Sequence, residues 1–268
     1  MKDLLVFSHI PKTAGTSFNY LLRGYFGSSL MAVRHRGGGN ATYTTENLLQ
    51  DSSYFRNLRC VSGHSLKPFE PLSLNGYQLR WFTFLRNPVD RLISHYIHQF
   101  TSNQELYSVG IEEWMSRFNR SNLMTRHIAG HEDFELALDI LANQFSFVGI
   151  TEYFEDSLNL FKENFRLDGF SLAIDNTRMT VRDSALKESI YANERILDII
   201  REKNELDIEL YDRMLGMYLT KRENIMPGNS LLVKSERNPV KGNLEFQFQD
   251  KLIYNVALKL KLGGKSSE

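Results

Sequence analysis

Short apolar runs alternate along this chain with longer stretches of helical period. Residues 4–7, 30–35, 59–62, 80–85 and 145–150 are brief and apolar, with polar or glycine-containing breaks around them, and predict strands. Elsewhere the period lengthens. Phe18, Leu21, Leu22, Tyr25 and Phe26 share one face of a helix expected to start at Thr16 or Ser17. Further helices are expected at 45–57, capped by Thr44 or Thr45, and from Pro88 onward, where proline suits a first turn. Others are expected at 111–119, 133–143, 153–165, 184–203 and 207–221, with Asp207 placed to cap the last. Residues 249–262 carry the pattern of a terminal amphipathic helix. Strands interleaved with helices predict an α/β domain with a mostly parallel sheet.

Two strand-to-helix junctions carry chemistry. The first is Phe-Ser-His-Ile-Pro-Lys-Thr-Ala-Gly-Thr-Ser at 7–17. A tight loop entering a helix gathers unpaired backbone N–H groups at the positive end of the helix dipole, which suits an anion. Gly15 permits close backbone approach, Thr16 and Ser17 are placed to cap the helix or donate to an oxyanion, and Lys12 adds a positive charge. This is not the G-x-x-x-x-G-K-[ST] loop of nucleotide triphosphatases, because the lysine precedes the glycine. A βα turn with an incidental lysine is the simpler alternative.

The second junction follows residues 80–85 and reads Arg-Asn-Pro-Val-Asp-Arg-Leu-Ile-Ser-His-Tyr at 86–96. Arg86 at the strand end and Ser94, two helical turns on, can converge on a phosphate. Arg91 can pair with Asp90 or Asp156 and be purely structural. A third feature is His64, just past the run 59–62, where open α/β sheets bind ligands. A lone histidine there is more often structural.

Taken together, HIPKTAGTSF and FLRNPVDRLISHY resemble the sulfotransferases that use 3′-phosphoadenosine 5′-phosphosulfate (PAPS). Within them the chain is most similar to the carbohydrate branch that holds the heparan sulfate 2-O- and 6-O-sulfotransferases and bacterial relatives. GHSLKPF at 63–69, NLMTRHIAG at 122–130, FVGITEYFEDSLNLF at 147–161 and NELDIELY at 204–211 follow in that family's order, so the resemblance spans about 4–218. It implies a P-loop-NTPase-like three-layer fold, a central mostly parallel sheet flanked by helices. One sulfotransferase domain would cover 1–268, with the motifs in 4–218 and a C-terminal extension at 219–268. The resemblance also implies PAPS as co-substrate. Lys12, Thr13, Ala14, Gly15, Thr16 and Ser17 would hold the 5′-phosphosulfate, and Arg86 and Ser94 the 3′-phosphate. His64 would be the general base and Lys12 would also act in catalysis. SLKPF departs from the 2-O pattern, which leaves the acceptor position open. Lys67 and His35 lie close to the same expected edge.

Composition narrows the partners. The 268 residues are 42% apolar, enough for one large core. Thirty-two basic and thirty-two acidic residues cancel, so the basic excess of a nucleic-acid binder is missing and no nucleic-acid partner is expected. Cys60 is the single cysteine, so no intrachain disulfide forms. No run reaches membrane length and no leader pattern precedes the first strand. Golgi members of the resembled family carry an N-terminal anchor, so the expectation is a cytoplasmic bacterial enzyme. No metal-ligand spacing is present, and a transferring sulfuryl group bears less charge than a phosphoryl group, so no metal is expected.

Three segments complete the inventory. Gly37–Gly39 sit in a loop with Arg34, His35 and Arg36 at its base, either a surface connection or an acceptor contact. Arg117, Arg120, Arg126 and His127 make the most basic region, either an anion contact or a solvated face. Thr151-Glu152 and Asp175-Asn176-Thr177-Arg178 resemble family segments near the nucleotide and before the last helices. The expected reaction is in-line sulfuryl transfer from PAPS to a hydroxyl of a carbohydrate or glycolipid. A nucleotide-dependent kinase and a non-catalytic nucleotide-binding protein are the alternatives.

Overall fold

A computed structural model describes residues 1–33, 42–103, 109–171 and 181–225, with backbone alone at 181–184. Five strands form one sheet: β1 (Lys2–Ser8), β2 (Leu30–Ala32), β3 (Cys60–Gly63), β4 (Tyr77–Leu85) and β5 (Phe145–Ile150). Their order is β2-β3-β1-β4-β5 and every pairing is parallel. The central strand, β1, is paired on both edges, with Leu5 opposite Cys60 on one side and Arg80 on the other. That position explains its unbroken apolar run, because a parallel strand covered on both faces has no solvent side. All five expected strands are present. The fold is α/β, a parallel sheet flanked by helices.

The chain leaves β1 toward β2 and leaves β4 toward β5, on opposite sides of the β1–β4 pair. This divergence opens a crevice at the carboxyl ends of the two strands, the usual ligand position in such sheets. Phe7, Phe82 and Phe84 face one side of the sheet. Phe7 stacks on Phe82 at 5.0 Å between centroids, and Phe18 and Phe161 pack onto the group at an angle. Phe18 belongs to α1 (Gly15–Phe26) and Phe161 to α7 (Phe154–Phe165). Ser8 and Thr83 sit at the alternate positions.

Seven helices fall within a few residues of where the pattern places them. They are α1, α2 (Thr45–Ser52), α3 (Pro88–Ser102), α4 (Ile111–Arg117), α6 (Phe134–Asn143), α7 and α10 (Glu205–Ile225). Thr44 caps α2 through a reciprocal pair of hydrogen bonds with Asn47. Three expectations change. First, α1 begins at Gly15, earlier than Thr16 or Ser17. Its cap is Ala14 in the left-handed region, without a side-chain hydrogen bond, so neither Thr16 nor Ser17 caps it. Second, the segment at 122–130 is itself a helix, α5 (Leu123–Ala129). Third, the single helix expected at 184–203 is two, α8 (Val181–Tyr191) and α9 (Glu194–Glu202), because the Asn193 side chain accepts from Ile196 N and starts a new helix. Asp207 lies inside the first turn of α10 and caps a different helix, as described below. The glycine loop at 37–39, Arg34, His35 and Arg36, the segment 175–178 and the expected helix 249–262 lie outside the described residues.

Candidate active site

The loop between β1 and α1 is tightly wound. Lys12 and Ala14 both hold positive φ, 69° and 60°, which side chains other than glycine's seldom adopt. Thr13 is buried and its hydroxyl donates to the Ile10 carbonyl at 3.0 Å. Its side chain therefore shapes the loop, and what it offers a ligand is backbone. Phe18 N is the first amide bonded back into the helix, to the Ala14 carbonyl, so the amides of Gly15, Thr16 and Ser17 make up the open first turn. Gly15 is required by packing. A Cβ there would stand 1.7 Å from His9 Nε2.

Arg86 follows β4 directly and reaches across the crevice. Its Nη1 donates to the Lys12 carbonyl oxygen at 3.2 Å. The two junctions singled out in the sequence are thus joined through their basic residues. The turn after Arg86 is held from two directions. Asn87 caps α3 by accepting from Val89 N and Asp90 N, and Asn87 N donates to Glu152 Oε1 at 2.9 Å. Thr151 donates to the Leu85 carbonyl, and Glu152 Oε2 accepts from the Tyr211 hydroxyl. Thr151-Glu152 therefore brace the turn that presents Arg86. Ser94 lies on α3, half-buried.

His64 follows β3, beside β1. Its Nδ1 donates to the His9 carbonyl at 2.6 Å, and the two imidazoles stack with centroids 3.9 Å apart. His9 was not singled out from sequence, although it stands past the end of β1 just as His64 stands past β3. Its ring also stacks on Phe7, and Asn19 Nδ2 lies 3.4 Å from His9 Nδ1. Burial, then the nearby His64 and Lys12, hold His9 well below the usual imidazole pKa, so it is neutral.

Lys67 and His127 form a second layer. Lys67 Nζ donates to His127 Nδ1 at 2.7 Å. His127 then carries its proton on Nε2, which donates to Ser8 Oγ at 3.0 Å, and Ser8 Oγ donates to the Leu66 carbonyl at 2.9 Å. Burial pulls Lys67 down to about 8. The contact between positions 67 and 127 has no sequence signal, since only the packing of α5 brings them together. The other basic residues of that region diverge. Arg126 is taken up by the carbonyls of Ser121 and Asn119 and by Glu132 at 3.7 Å, while Arg117 and Arg120 lie over the Phe118 and Trp114 rings. They do not make one cationic face. Cys60 is enclosed in β3, and burial pushes its thiol far up, which makes it a core residue.

Arg91 does not pair as expected. Asp90 accepts from the Tyr191 hydroxyl and Asp156 pairs with Arg222 at 2.7 Å. Asp207, fully buried, accepts from Met124 N, Thr125 N and Thr125 Oγ1. It caps α5 from α10. Asn122 and Asn204 reinforce the junction, each accepting a backbone N–H from the opposite segment.

The model of the family described as Sulfotransferase family matches residues 1–212. The chain belongs to the sulfotransferase family. Sulfuryl transfer is accordingly its general activity. A solved sulfotransferase from Alicyclobacillus acidocaldarius is similar at 15% identity and a TM-score of 0.39, covering 75% of this chain and 96% of that one. No curated protein matches the chain. Among the described residues of this sulfotransferase no cluster of three or more His, Cys, Asp or Glu could hold a metal ion, and no helix is long and apolar enough to cross a membrane.

Proposed function

We propose that this sulfotransferase moves a sulfuryl group from PAPS to a hydroxyl of a carbohydrate or glycolipid acceptor, as in the heparan sulfate-like branch that its motifs resemble. The observation that carries the reading is the hydrogen bond from Arg86 to the Lys12 carbonyl. It joins a helix N-terminus suited to a 5′-phosphosulfate to an arginine suited to a 3′-phosphate, at the mouth of the β1–β4 crevice. In this reading Lys12 and the backbone of Thr13, Ala14, Gly15, Thr16 and Ser17 hold the 5′ end. Arg86 and Ser94 hold the 3′-phosphate, the group that distinguishes PAPS from ATP-like nucleotides.

His64 takes the proton of the acceptor hydroxyl. With Nδ1–H bound to the His9 carbonyl, Nε2 is the ring nitrogen through which His64 would take that proton, as a general base requires. The S–O bond to the departing phosphate breaks as the acceptor oxygen bonds to sulfur, and charge grows on the leaving phosphate. Lys12 and the open amides of α1 meet that charge. The test has two parts. Thermal shift compares 3′-phosphoadenosine 5′-phosphate (PAP) with AMP, and PAP should stabilise the protein more. An acceptor screen with labelled PAPS, read by mass, should then give a sulfated carbohydrate. Equal stabilisation by PAP and AMP removes the 3′-phosphate site. PAP binding without transfer to any acceptor leaves a non-catalytic nucleotide-binding protein.

A further inference from the structure

Arg91 stands on α3 three residues before Ser94, so the two lie on the same side of the helix. It is fully enclosed, and Nε, Nη1 and Nη2 all lack a hydrogen-bond partner. The carboxylates nearest in the sequence reading, Asp90 and Asp156, are engaged with Tyr191 and Arg222, and Asp207 is engaged with three donors of α5. A guanidinium carries five donors, and leaving them all unanswered in the interior is among the more costly arrangements a fold can hold.

Most of the charges that act on Arg91 share its sign. Besides burial, which pulls its pKa down to about 10, Arg91 is acted on by one acidic group, Asp207, and by Arg120, Arg86 and Arg126. One turn along α3, His95 Nδ1 is also buried without a partner. Burial first, then Arg91, Arg120, Lys12 and His98, keep that imidazole neutral. Arg86 and Lys12 are residues that the proposed function assigns to the nucleotide. Asp207 is the one acidic group among those that act on Arg91, and its oxygens already answer three donors of α5.

We infer that Arg91 is the buried counter-charge of the nucleotide's 3′-phosphate, a positioning residue behind Arg86 and Ser94. The inference rests on the PAPS reading above. Arg86 and Ser94 meet the phosphate oxygens, and Arg91 completes the balance of a dianion from the interior, where solvent does not screen it.

Calorimetry of PAP and AMP binding to the full chain tests this, using Arg91→Gln, Arg86→Ala and the unaltered protein. Arg91→Gln should weaken PAP about tenfold while AMP stays within about twofold, and Arg86→Ala should weaken PAP more, since it also loses a charge-assisted contact. A folded Arg91→Gln that keeps the PAP-to-AMP ratio overturns the inference, because a merely structural arginine lowers both affinities together or neither. Should Arg91→Gln fail to fold, Arg91→Lys decides. A buried lysine loses its proton at lower pH than arginine, so the variant's PAP-to-AMP ratio should fall between pH 7.5 and 9 while the unaltered protein's holds, because Arg91 itself loses its proton only near pH 10. A ratio that stays flat in the variant overturns the inference. Failure of the PAPS reading is separate: there the unaltered protein itself would bind PAP and AMP alike.

Discussion

His64 Nδ1 donates to the backbone carbonyl of His9 at 2.6 Å. A carbonyl can only accept, so this contact sets the tautomer of His64, and the residue that sets it belongs to the same loop proposed to receive the nucleotide. The proposed base and the proposed donor site therefore share one piece of backbone. That separates two kinds of variant. Replacing His64 should remove chemistry and spare nucleotide binding. His64→Ala is expected to keep PAP affinity within about twofold and to lose roughly 10² or more in transfer. Lys12→Ala should lose both, because in the proposed site its charge would meet the phosphosulfate before and during the reaction. Calorimetry paired with single-turnover transfer reads the two effects. Normal transfer by His64→Ala would return that residue to a structural role.

Gly15 should tolerate no side chain. A Cβ would stand 1.7 Å from His9 Nε2, and the His9 ring is held between Phe7 and His64. Gly15→Ala must therefore displace His9, disturbing the first turn of α1 and the carbonyl that anchors His64. A loss of PAP affinity of about tenfold or more is expected, together with lower transfer. The double variant Gly15→Ala, His9→Ala removes the clash and should recover much of the PAP affinity. If it recovers none, the cause lies in the backbone of the loop and not in the ring.

Asp207 should be a large contributor to stability without touching the nucleotide. Its carboxylate answers two backbone amides and one hydroxyl of α5 in a fully buried setting, beside the buried charge of Arg91. Asp207→Ala leaves those donors unsatisfied and should cost about 3–5 kcal/mol in urea unfolding. Asp207→Asn keeps an acceptor oxygen and should cost less. A loss below about 1 kcal/mol for Asp207→Ala would mean that α5 is held by its apolar contacts alone.

Lys67 gives a pH signature whose sign can be stated. Burial lowers its pKa from 10.5 to about 8. Between these values the unfolded chain holds a proton that the folded protein has released, so stability rises with pH across that window. Below pH 8 the cost of the buried ammonium is present in full. Lys67→Met removes it, so the stability of the unaltered protein relative to Lys67→Met should climb between pH 8 and 10.5, by on the order of 3 kcal/mol. Loss of the His127 contact adds an offset that does not vary with pH over this range. Urea unfolding of both proteins at several pH values checks it. Parallel profiles would place the Lys67 ammonium in water.

The strands and most helices were legible because their residues report their surroundings locally. Leu4, Leu5, Val6 and Phe7 read as a buried strand, and Thr44 sits where a cap must sit. The loop of 7–17 and the segment from Arg86 were legible for the same reason, since helix starts and strand ends carry their chemistry in adjacent residues. Asp207 was placed to cap the helix it precedes. Its true partners, Met124 and Thr125, lie more than eighty positions away, and no local preference distinguishes an aspartate that caps its own helix from one that caps another. His9 was passed over because a single imidazole is equally at home in a loop or a site until its neighbour is known.

The amino-acid sequence by itself determined the alternation of strands and helices, the anion-suited turn before α1 and the basic turn after β4, because each depends on residues within a few positions of one another. Tertiary structure alone decided that Arg86 meets the Lys12 carbonyl, that His64 is anchored by His9, that Lys67 rests on His127, and that Arg91 lies enclosed beside Asp207 without a hydrogen bond. Those relationships depend on the order of strands in the sheet and on which helix packs against which. Such choices are made by the burial of whole faces, and that energy is spread over too many residues for any one stretch of sequence to reveal.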